Sequence, residues 1–215
     1  MKYSTKEEHL QYFRHIARTS WFKNHEVVLS EYVGDKDTIR VVRFRQPGTN
    51  CYAVRYVFDG NHIYVSGDLG CAVFECTWTP LPTDKMPSFW YLFEKCSAYG
   101  DGKWDYSDAV CKATLRDVLL EEDDNGNHTV YPDTWNSKTK HVFHVLLNRA
   151  ENAQTPEQWS HIMQEIDAED GPLTDIDSDY WEWMCGAGNV MPARMVGIMV
   201  GLQMVSEKLN ERKGE

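Results

Sequence analysis

The chain lacks the segments by which proteins enter a membrane or the secretory pathway. Its 215 residues contain no stretch of about 18 apolar residues, the length that a membrane-spanning helix needs. Charged residues from Lys6 to Glu8 interrupt the N-terminal region, so it contains no apolar core of a signal peptide. The six cysteines lack the dense, regular spacing of a secreted disulfide scaffold. These absences predict a cytoplasmic protein with reduced thiols and no membrane association.

Complete catalytic and metal-binding motifs are also missing. No Cys-x-x-Cys, His-Glu-x-x-His or Gly-x-Ser-x-Gly pattern occurs, and no glycine-rich phosphate loop precedes a predicted helix. His141 and His144 stand three apart on a predicted helix, but a zinc site needs two more ligands, and no motif supplies them. The sequence therefore predicts no catalytic residue, no metal site and no cofactor, and it favours a protein that is not an enzyme.

The charge of the chain is strongly unbalanced. It has 33 acidic and 22 basic residues, a formal net charge of −11. Nucleic-acid phosphates require a basic footprint, so direct binding to nucleic acid is not expected. The acidity serves either to keep the protein soluble or to dock it on a basic partner, such as the nucleic-acid channel of another protein. Net charge alone does not separate these two interpretations.

The stretch from Thr38 to Trp78 has the pattern of an antiparallel β-meander. Four segments rich in β-branched and aromatic residues are separated by turn residues. The predicted strands are Ile39–Arg45, Cys51–Phe58, His62–Ser66 and Cys71–Trp78, with turns at Pro47-Gly48, Asp59-Gly60-Asn61 and Gly67-Asp68-Leu69-Gly70. Residues Glu26–Val33 are a candidate fifth strand.

The remaining chain has the spacing and the caps of helices. A capping box at Ser4 and Thr5 predicts a helix to about Thr19, and Ser88, Ser107 and Thr155 are predicted N-caps of later helices. Helices are also predicted from Ser137 to Ala150 and from Pro192 to Leu209, the last apolar enough to be the central helix of a core. The expectation is a single α+β domain over residues 1–215. Within it, residues 1–80 form a helix plus the sheet, and residues 88–215 form a helical part packed on that sheet.

Three acidic positions are candidate contacts. Asp175, Asp177 and Asp179, with Glu182, form a carboxylate cluster that is able in principle to hold a hard cation. A calcium loop would place glycine sixth and glutamate twelfth, where this chain has a tyrosine and Gly186, so the cluster is more simply the first-turn negative charge of a helix. The other two candidates are the acidic turn Glu121-Glu122-Asp123-Asp124 and Asp68, although turn aspartates normally bond backbone groups.

Basic residues are concentrated on two predicted neighbouring strands. Arg40, Arg43 and Arg45 lie on the first strand of the meander, and Arg55 lies on the second. If Arg43, Arg45 and Arg55 lie side by side, their guanidinium groups can bind phosphate or the carboxylates of a partner. The simpler interpretation is cross-strand pairing with nearby acidic residues. The chain also has eight tryptophans, which enrich binding hot spots but are first of all core residues.

Two patches of the chain resemble a known group of proteins. They are Tyr64-Val65-Ser66-Gly67-Asp68-Leu69-Gly70 running into Val73-Phe74, and Tyr180-Trp181-Glu182-Trp183 with Arg194 and Gly201-Leu202-Gln203-Met204. Together they resemble a loose group of uncharacterised proteins carried by phages, prophages and conjugative elements of gut bacteria. The resemblance implies a genomic context in which small acidic proteins often inhibit host defence, as anti-CRISPR proteins do.

The first hypothesis is therefore a non-catalytic, anti-defence binding protein. It would dock an acidic, aromatic-rich surface on a host protein such as a CRISPR nuclease or its nucleic-acid channel. The candidate partner-binding residues are Asp68, Glu121, Glu122, Asp123, Asp124, Asp175, Asp177, Asp179, Arg43, Arg45 and Arg55.

Two alternatives stay open. One is a metal-dependent hydrolase of nucleotides or nucleic acid that uses Asp175, Asp177, Asp179 and Glu182 as ligands. The other is a regulator that binds nucleic acid through Arg43, Arg45 and Arg55, which the net charge disfavours.

Overall fold

The computed structural model describes residues 3–34 and 37–212, and these form two compact units that are not contiguous in the chain. Unit 1 comprises Met1–His9 with Trp104–Met191, and unit 2 comprises Leu10–Lys103 with Pro192–Glu215. Helix α1 (Lys6–Ile16) begins in unit 1 and continues into unit 2. The α+β class is confirmed, while the assignment of residues 1–215 to a single domain stays a prediction.

Unit 2 is built on one antiparallel sheet in which each strand pairs with the next along the chain. The strands are β1 (Glu26–Val33), β2 (Thr38–Arg45), β3 (Val54–Asp59), β4 (His62–Gly67), β5 (Ala72–Glu75) and β6 (Cys96–Tyr99). The predicted meander and the candidate fifth strand are therefore confirmed. The sheet also contains a sixth strand, β6, that was not predicted.

Two predicted strands are shorter in the structure. The segment Cys51–Phe58 begins its strand only at Val54, because Tyr52 adopts a positive φ of 53°, which interrupts extended backbone. The segment Cys71–Trp78 ends its strand at Glu75, and Cys76 N then donates to the carbonyl of Asn61 at 2.8 Å. Both differences lie at strand ends, where the chain leaves the sheet.

The inner face of the sheet forms the core of unit 2. Phe44, Tyr56 and Phe74 are fully buried on it. The apolar helix α7 (Ala193–Glu211) packs there, and Tyr56 Oη donates to the carbonyl of Ile198 at 2.8 Å. The prediction of a central core helix is confirmed for this unit. Helix α2 (Phe89–Glu94) begins at the predicted N-cap Ser88.

Unit 1 is mainly helical. Its helices are α3 (Asp108–Leu119), α4 (Ser137–Arg149), α5 (Pro156–Glu169) and α6 (Tyr180–Trp183), and its short strands are β7 (Asp105–Tyr106), β8 (Glu121–Glu122), β9 (His128–Val130) and β10 (Asn189–Val190). The predicted caps Ser107 and Thr155 accept hydrogen bonds from Val110 N and Gln158 N. Trp159 is fully buried in this unit and donates from Nε1 to the carbonyl of Met184 at 2.7 Å.

None of the helices in the described ranges combines the length and the apolar character that crossing a bilayer requires.

Candidate partner-binding surfaces

The net negative charge of the chain comes from unit 1. By sequence, unit 1 has 20 acidic and 7 basic residues, whereas unit 2 has 13 acidic and 15 basic residues. The formal net charge is therefore −13 for unit 1 and +2 for unit 2. The two units consequently present surfaces suited to different partners, which the net charge of −11 conceals.

The acidic turn predicted at residues 121–124 is a β-hairpin formed by β8 and β9. Asp123 holds its loop together, since Oδ1 accepts from Asn125 N and Asn127 N, both at 2.9 Å, and Oδ2 accepts from Thr129 Oγ1 at 3.2 Å. The backbone hydrogen bond from Asn127 is the main cause that lowers the pKa of Asp123. Asp123 is therefore a structural residue of the hairpin.

The other three carboxylates of this hairpin are exposed. Glu122 Oε1 lies 3.5 Å from His128 Nε2, whereas Glu121 and Asp124 form no ion pair within the described residues. The hairpin thus presents exposed negative charge on a loop that Asp123 keeps ordered.

The second acidic segment surrounds α6. Asp177 accepts from Asp179 N at 2.9 Å and from Trp183 Nε1 at 2.8 Å, so its carboxylate is already used to shape the segment. Asp179 occupies the N-cap position, but its side chain makes no capping hydrogen bond with the described residues. Asp175 and Asp179 are exposed, and so is Trp181, at 57%. This segment combines free carboxylates with an exposed tryptophan.

Asp68 has a local structural role in unit 2. Its Oδ2 accepts from Tyr52 N at 2.7 Å and so ties two turns together. Tyr52 has positive φ, and Gly67, next to Asp68, has a φ of 147°. The carboxylate therefore stabilises a strained pair of turns, as turn aspartates normally do.

The predicted arginine cluster is partly formed on the outer face of the sheet. Arg43 on β2 lies directly opposite Arg55 on β3, while Arg45 lies opposite Glu26 on β1. All three arginines are exposed, and none forms an ion pair with a residue in 3–34 or 37–212. Two like charges directly opposite each other destabilise a sheet, so this pair has no structural benefit of its own.

Arg40 does not belong to this cluster. It alternates with Arg43 along β2 and therefore faces the other side of the sheet, where its Nε lies 2.7 Å from Glu31 Oε1 on β1. For this arginine the predicted cross-strand pairing with an acidic residue is confirmed.

The outer face also carries exposed apolar residues that the sequence interpretation missed. Val28 and Tyr32 on β1 are 52% and 58% exposed, and Tyr64 on β4 is 42% exposed. Their alternation with inward residues was visible in the sequence. The exposure of Trp181 could not be predicted from the sequence. Large aromatic side chains are usually core residues, and most of the others in this chain are indeed buried or half-buried.

The chemistry available to the cysteines and carboxylates is limited. Burial raises the pKa of the Cys111 thiol to about 12, and it also raises the pKa of Cys76 and Cys96, so these three are protonated at neutral pH. Across the part of the chain that the structure describes, no group of three or more His, Cys, Asp or Glu side chains is arranged to hold a metal ion. The Asp175, Asp177, Asp179 and Glu182 cluster is therefore not assembled as a ligand set.

No family model, curated protein or solved structure matches this chain, so the candidate surfaces are ranked by their own geometry.

Proposed function

We propose that this chain is a non-catalytic cytoplasmic protein that binds and inhibits a host defence protein, such as a CRISPR nuclease. It docks through the acidic surface of unit 1, and the exposed Trp181 is the apolar anchor of that surface. The origin in a phage or another mobile element of gut bacteria is part of the same proposal and rests on the resemblance of the two patches described above.

The observation that carries this proposal is that unit 1 has a net negative charge and unit 2 does not. A basic nucleic-acid channel attracts a body of net charge −13, and electrostatic complementarity speeds the encounter. Charge alone gives little affinity, but exposed tryptophans are enriched among the residues that dominate binding energy. Trp181 stands beside Glu182 and two residues from Asp179, so the anchor and the charge share one segment.

A plasmid-interference assay tests the proposal. Bacteria that carry one of several CRISPR nuclease types are transformed with a targeted plasmid, with and without this chain. We expect the chain to restore transformation against at least one type, and binding to that purified nuclease to weaken as salt is raised. Failure to protect the plasmid against any type tested would count against inhibition of a CRISPR nuclease.

Matched charge variants locate the surface. Asp175→Lys, Asp179→Lys and Glu182→Lys change three carboxylates of unit 1, and Glu75→Lys, Glu94→Lys and Glu211→Lys change three exposed carboxylates of unit 2. Both triple variants change the net charge equally. If the surface of unit 1 is the docking site, only the first variant should lose inhibition. Trp181→Ala should weaken binding at least about tenfold. Equal loss in both triple variants would show that net charge, and not this surface, is responsible.

The metal-dependent hydrolase has less support. Two hydrogen bonds already occupy the carboxylate of Asp177, which a divalent ion would need as a ligand. Metal analysis of the purified protein and a screen for nucleotide turnover would reveal such an activity, and its loss in Asp177→Ala with folding intact would favour the hydrolase.

The outer sheet face gives a specific reason to keep nucleic-acid binding as a second candidate function. The opposed Arg43 and Arg55 lie in unit 2, whose net charge is +2, so the acidity of the whole chain does not argue against an anion there. If Arg43, Arg45 and Arg55 contact phosphates of a single-stranded nucleic acid, a plot of log K for binding against log salt concentration should have a slope of about −2. Arg43→Ala with Arg55→Ala should abolish binding to an oligonucleotide, while Arg18→Ala, outside this face, should not.

A further inference from the structure

A cavity of about 320 Å³ lies within unit 1, close to the lower end of the range for small-molecule pockets. Helices α3 and α4 and strand β9 supply most of its lining. The lining residues are Lys112, Arg116, Leu120, His128, Thr129, Tyr131, Phe143, His144, Leu147 and Asn148.

The charged residues that line this cavity are basic, although the unit that contains it is strongly acidic. Residues 104–191 include 18 acidic but only five Lys and Arg residues, yet two of those five, Lys112 and Arg116, line the cavity. They stand four apart on α3 and therefore share one face of the helix. Among the described residues that line the cavity there is no Asp or Glu. Four lining side chains can carry positive charge, and none carries negative charge.

Carboxylates contact two of these groups without belonging to the lining. Lys112 Nζ lies 2.9 Å from Glu151 Oε2 and 4.0 Å from Asp108 Oδ2, so its position is fixed. His128 Nδ1 lies 2.9 Å from the carbonyl of Leu120 and must donate to it, because a carbonyl only accepts. The other ring nitrogen of His128 lies 3.5 Å from Glu122 Oε1.

Arg116 is different from Lys112. It is exposed at the last turn of α3 and forms no ion pair within residues 3–34 and 37–212. A guanidinium fork matches the oxygens of a phosphate or carboxylate bidentately. Arg116 is thus the cation at this cavity that is available to a ligand.

Other residues of the lining are aromatic or apolar. Phe143 and Tyr131 meet edge to face with ring centroids 6.2 Å apart, and Leu147 lies one helical turn after Phe143. Tyr131 Oη lies 2.8 Å from His144 Nε2, which fixes both rings at the wall. Phe143 is only 1% exposed, so the half-buried Tyr131 and Leu147 supply the apolar surface. A flat ring packs well on such a surface, whereas a bare inorganic anion leaves it unused.

We propose that this cavity is a binding site for a small molecule that joins a phosphate group to a flat ring, of the size of a nucleoside monophosphate. The phosphate lies against Arg116, and the ring lies against Tyr131 and Leu147. Neither residues 175–182 nor the arginines of the sheet line this cavity, so the site stands independently of the proposed function.

Titration of the isotope-labelled full chain with adenosine monophosphate, followed by NMR, tests the site. We expect chemical-shift changes at Arg116, His128 and His144, with saturation in the micromolar to low millimolar range. Inorganic phosphate and adenosine, each used alone, should bind at least about tenfold more weakly, because each engages one side of the cavity. No shift changes at these residues with millimolar adenosine monophosphate would overturn the proposal.

Variants separate the cavity from general electrostatics. Arg116→Ala should weaken binding at least about tenfold, Arg116→Lys should retain part of it, and Lys138→Ala, an exposed α4 residue outside the lining, should have no effect. Leu147→Glu, which places a carboxylate at the apolar wall, should abolish binding, and retained secondary structure and melting temperature would confirm that the variant is folded. Equal affinities of Arg116→Ala and Lys138→Ala, or equal affinities for inorganic phosphate and adenosine monophosphate, would show that the ligand class is wrong.

Discussion

At the scale of single residues, His9 on α1 is a titratable side chain that the fold buries. It is 5% exposed, and its ring meets Tyr3 edge-on with centroids 4.7 Å apart. Burial lowers the pKa of His9 from 6.5 to about 4, because the charged imidazolium loses its hydration. His9 therefore stays neutral in the folded protein at pH values where the unfolded chain binds a proton.

We expect this histidine to make the protein acid-sensitive. Above pH 6.5 it is neutral in both states and has no effect, and as pH falls from 6.5 towards 4 the unfolded state gains a proton that the folded state does not. His9→Gln should therefore reduce the loss of unfolding free energy between pH 7 and pH 5 by about 1–2 kcal/mol. Urea unfolding at both pH values measures this difference. An unchanged pH dependence in His9→Gln would contradict the expectation.

At the scale of elements, α7 packs closely against neighbouring segments of unit 2 at two glycines. A Cβ atom at Gly197 would lie 2.8 Å from both Leu69 Cδ1 and Trp21 Cζ3, and one at Gly201 would overlap Tyr56 Oη. Glycine normally costs a helix about 1 kcal/mol relative to alanine. Because α7 approaches β3 closely at Gly201, where Tyr56 also makes its buried hydrogen bond, we expect alanine to be destabilising at this position.

A double-mutant cycle tests this contact. Gly201→Ala should lower the unfolding free energy by about 2 kcal/mol, since overpacking outweighs the gain in helix propensity. Tyr56→Phe should cost about 1 kcal/mol through its lost hydrogen bond. The double variant should cost less than the sum, because removing the hydroxyl opens the space that the new methyl group needs. Strictly additive values from thermal or urea unfolding would show that the two positions are not in contact.

In the hairpin of β8 and β9, the carboxylate of Asp123 orders the loop, whereas the neighbouring carboxylates are exposed. Asp123→Ala removes the acceptor of two backbone N–H groups, so amide protection in residues 121–130 should be lost in hydrogen-exchange measurements. Asp124→Ala, which removes an exposed side chain of the same loop, should leave the protection unchanged. Equal effects of the two variants would mean that Asp123 does not order the loop.

These elements also show what can be predicted from sequence. Alternating apolar residues and turn glycines define β2 to β4, since both signals are local. The strand β6 was missed because Cys-Ser-Ala-Tyr has no such alternation and gains its pairing from β5. The opposition of Arg43 and Arg55 depends on strand register, and the cavity needs α3, β9 and α4 to meet. Such features arise from tertiary structure, and no short motif encodes them.

At the scale of the whole molecule, the division of charge has consequences for stability as well as for binding. Unit 1, with 20 acidic and 7 basic residues, has a large excess of negative charge in one compact body. In unit 2 the acidic and basic residues nearly balance. Ion pairs in the described part of unit 1 include Glu151 with Lys112 and Glu165 with Arg149. Repulsion of this kind weakens a folded body and is screened by salt, because the Debye length falls from about 30 Å at 0.01 M to about 10 Å at 0.1 M ionic strength.

Salt should therefore stabilise the two units unequally. We expect hydrogen exchange followed by mass spectrometry to show slower exchange in peptides from α3, α4 and α5 as sodium chloride is raised from 0.01 M to 0.2 M. Peptides from β2 to β4 should change little, because unit 2 is close to neutral. Sucrose, which strengthens burial without screening charge, should slow exchange in both units to similar extents and so serves as the control. If salt slows exchange equally in both units, the segregated charge does not govern the stability of unit 1.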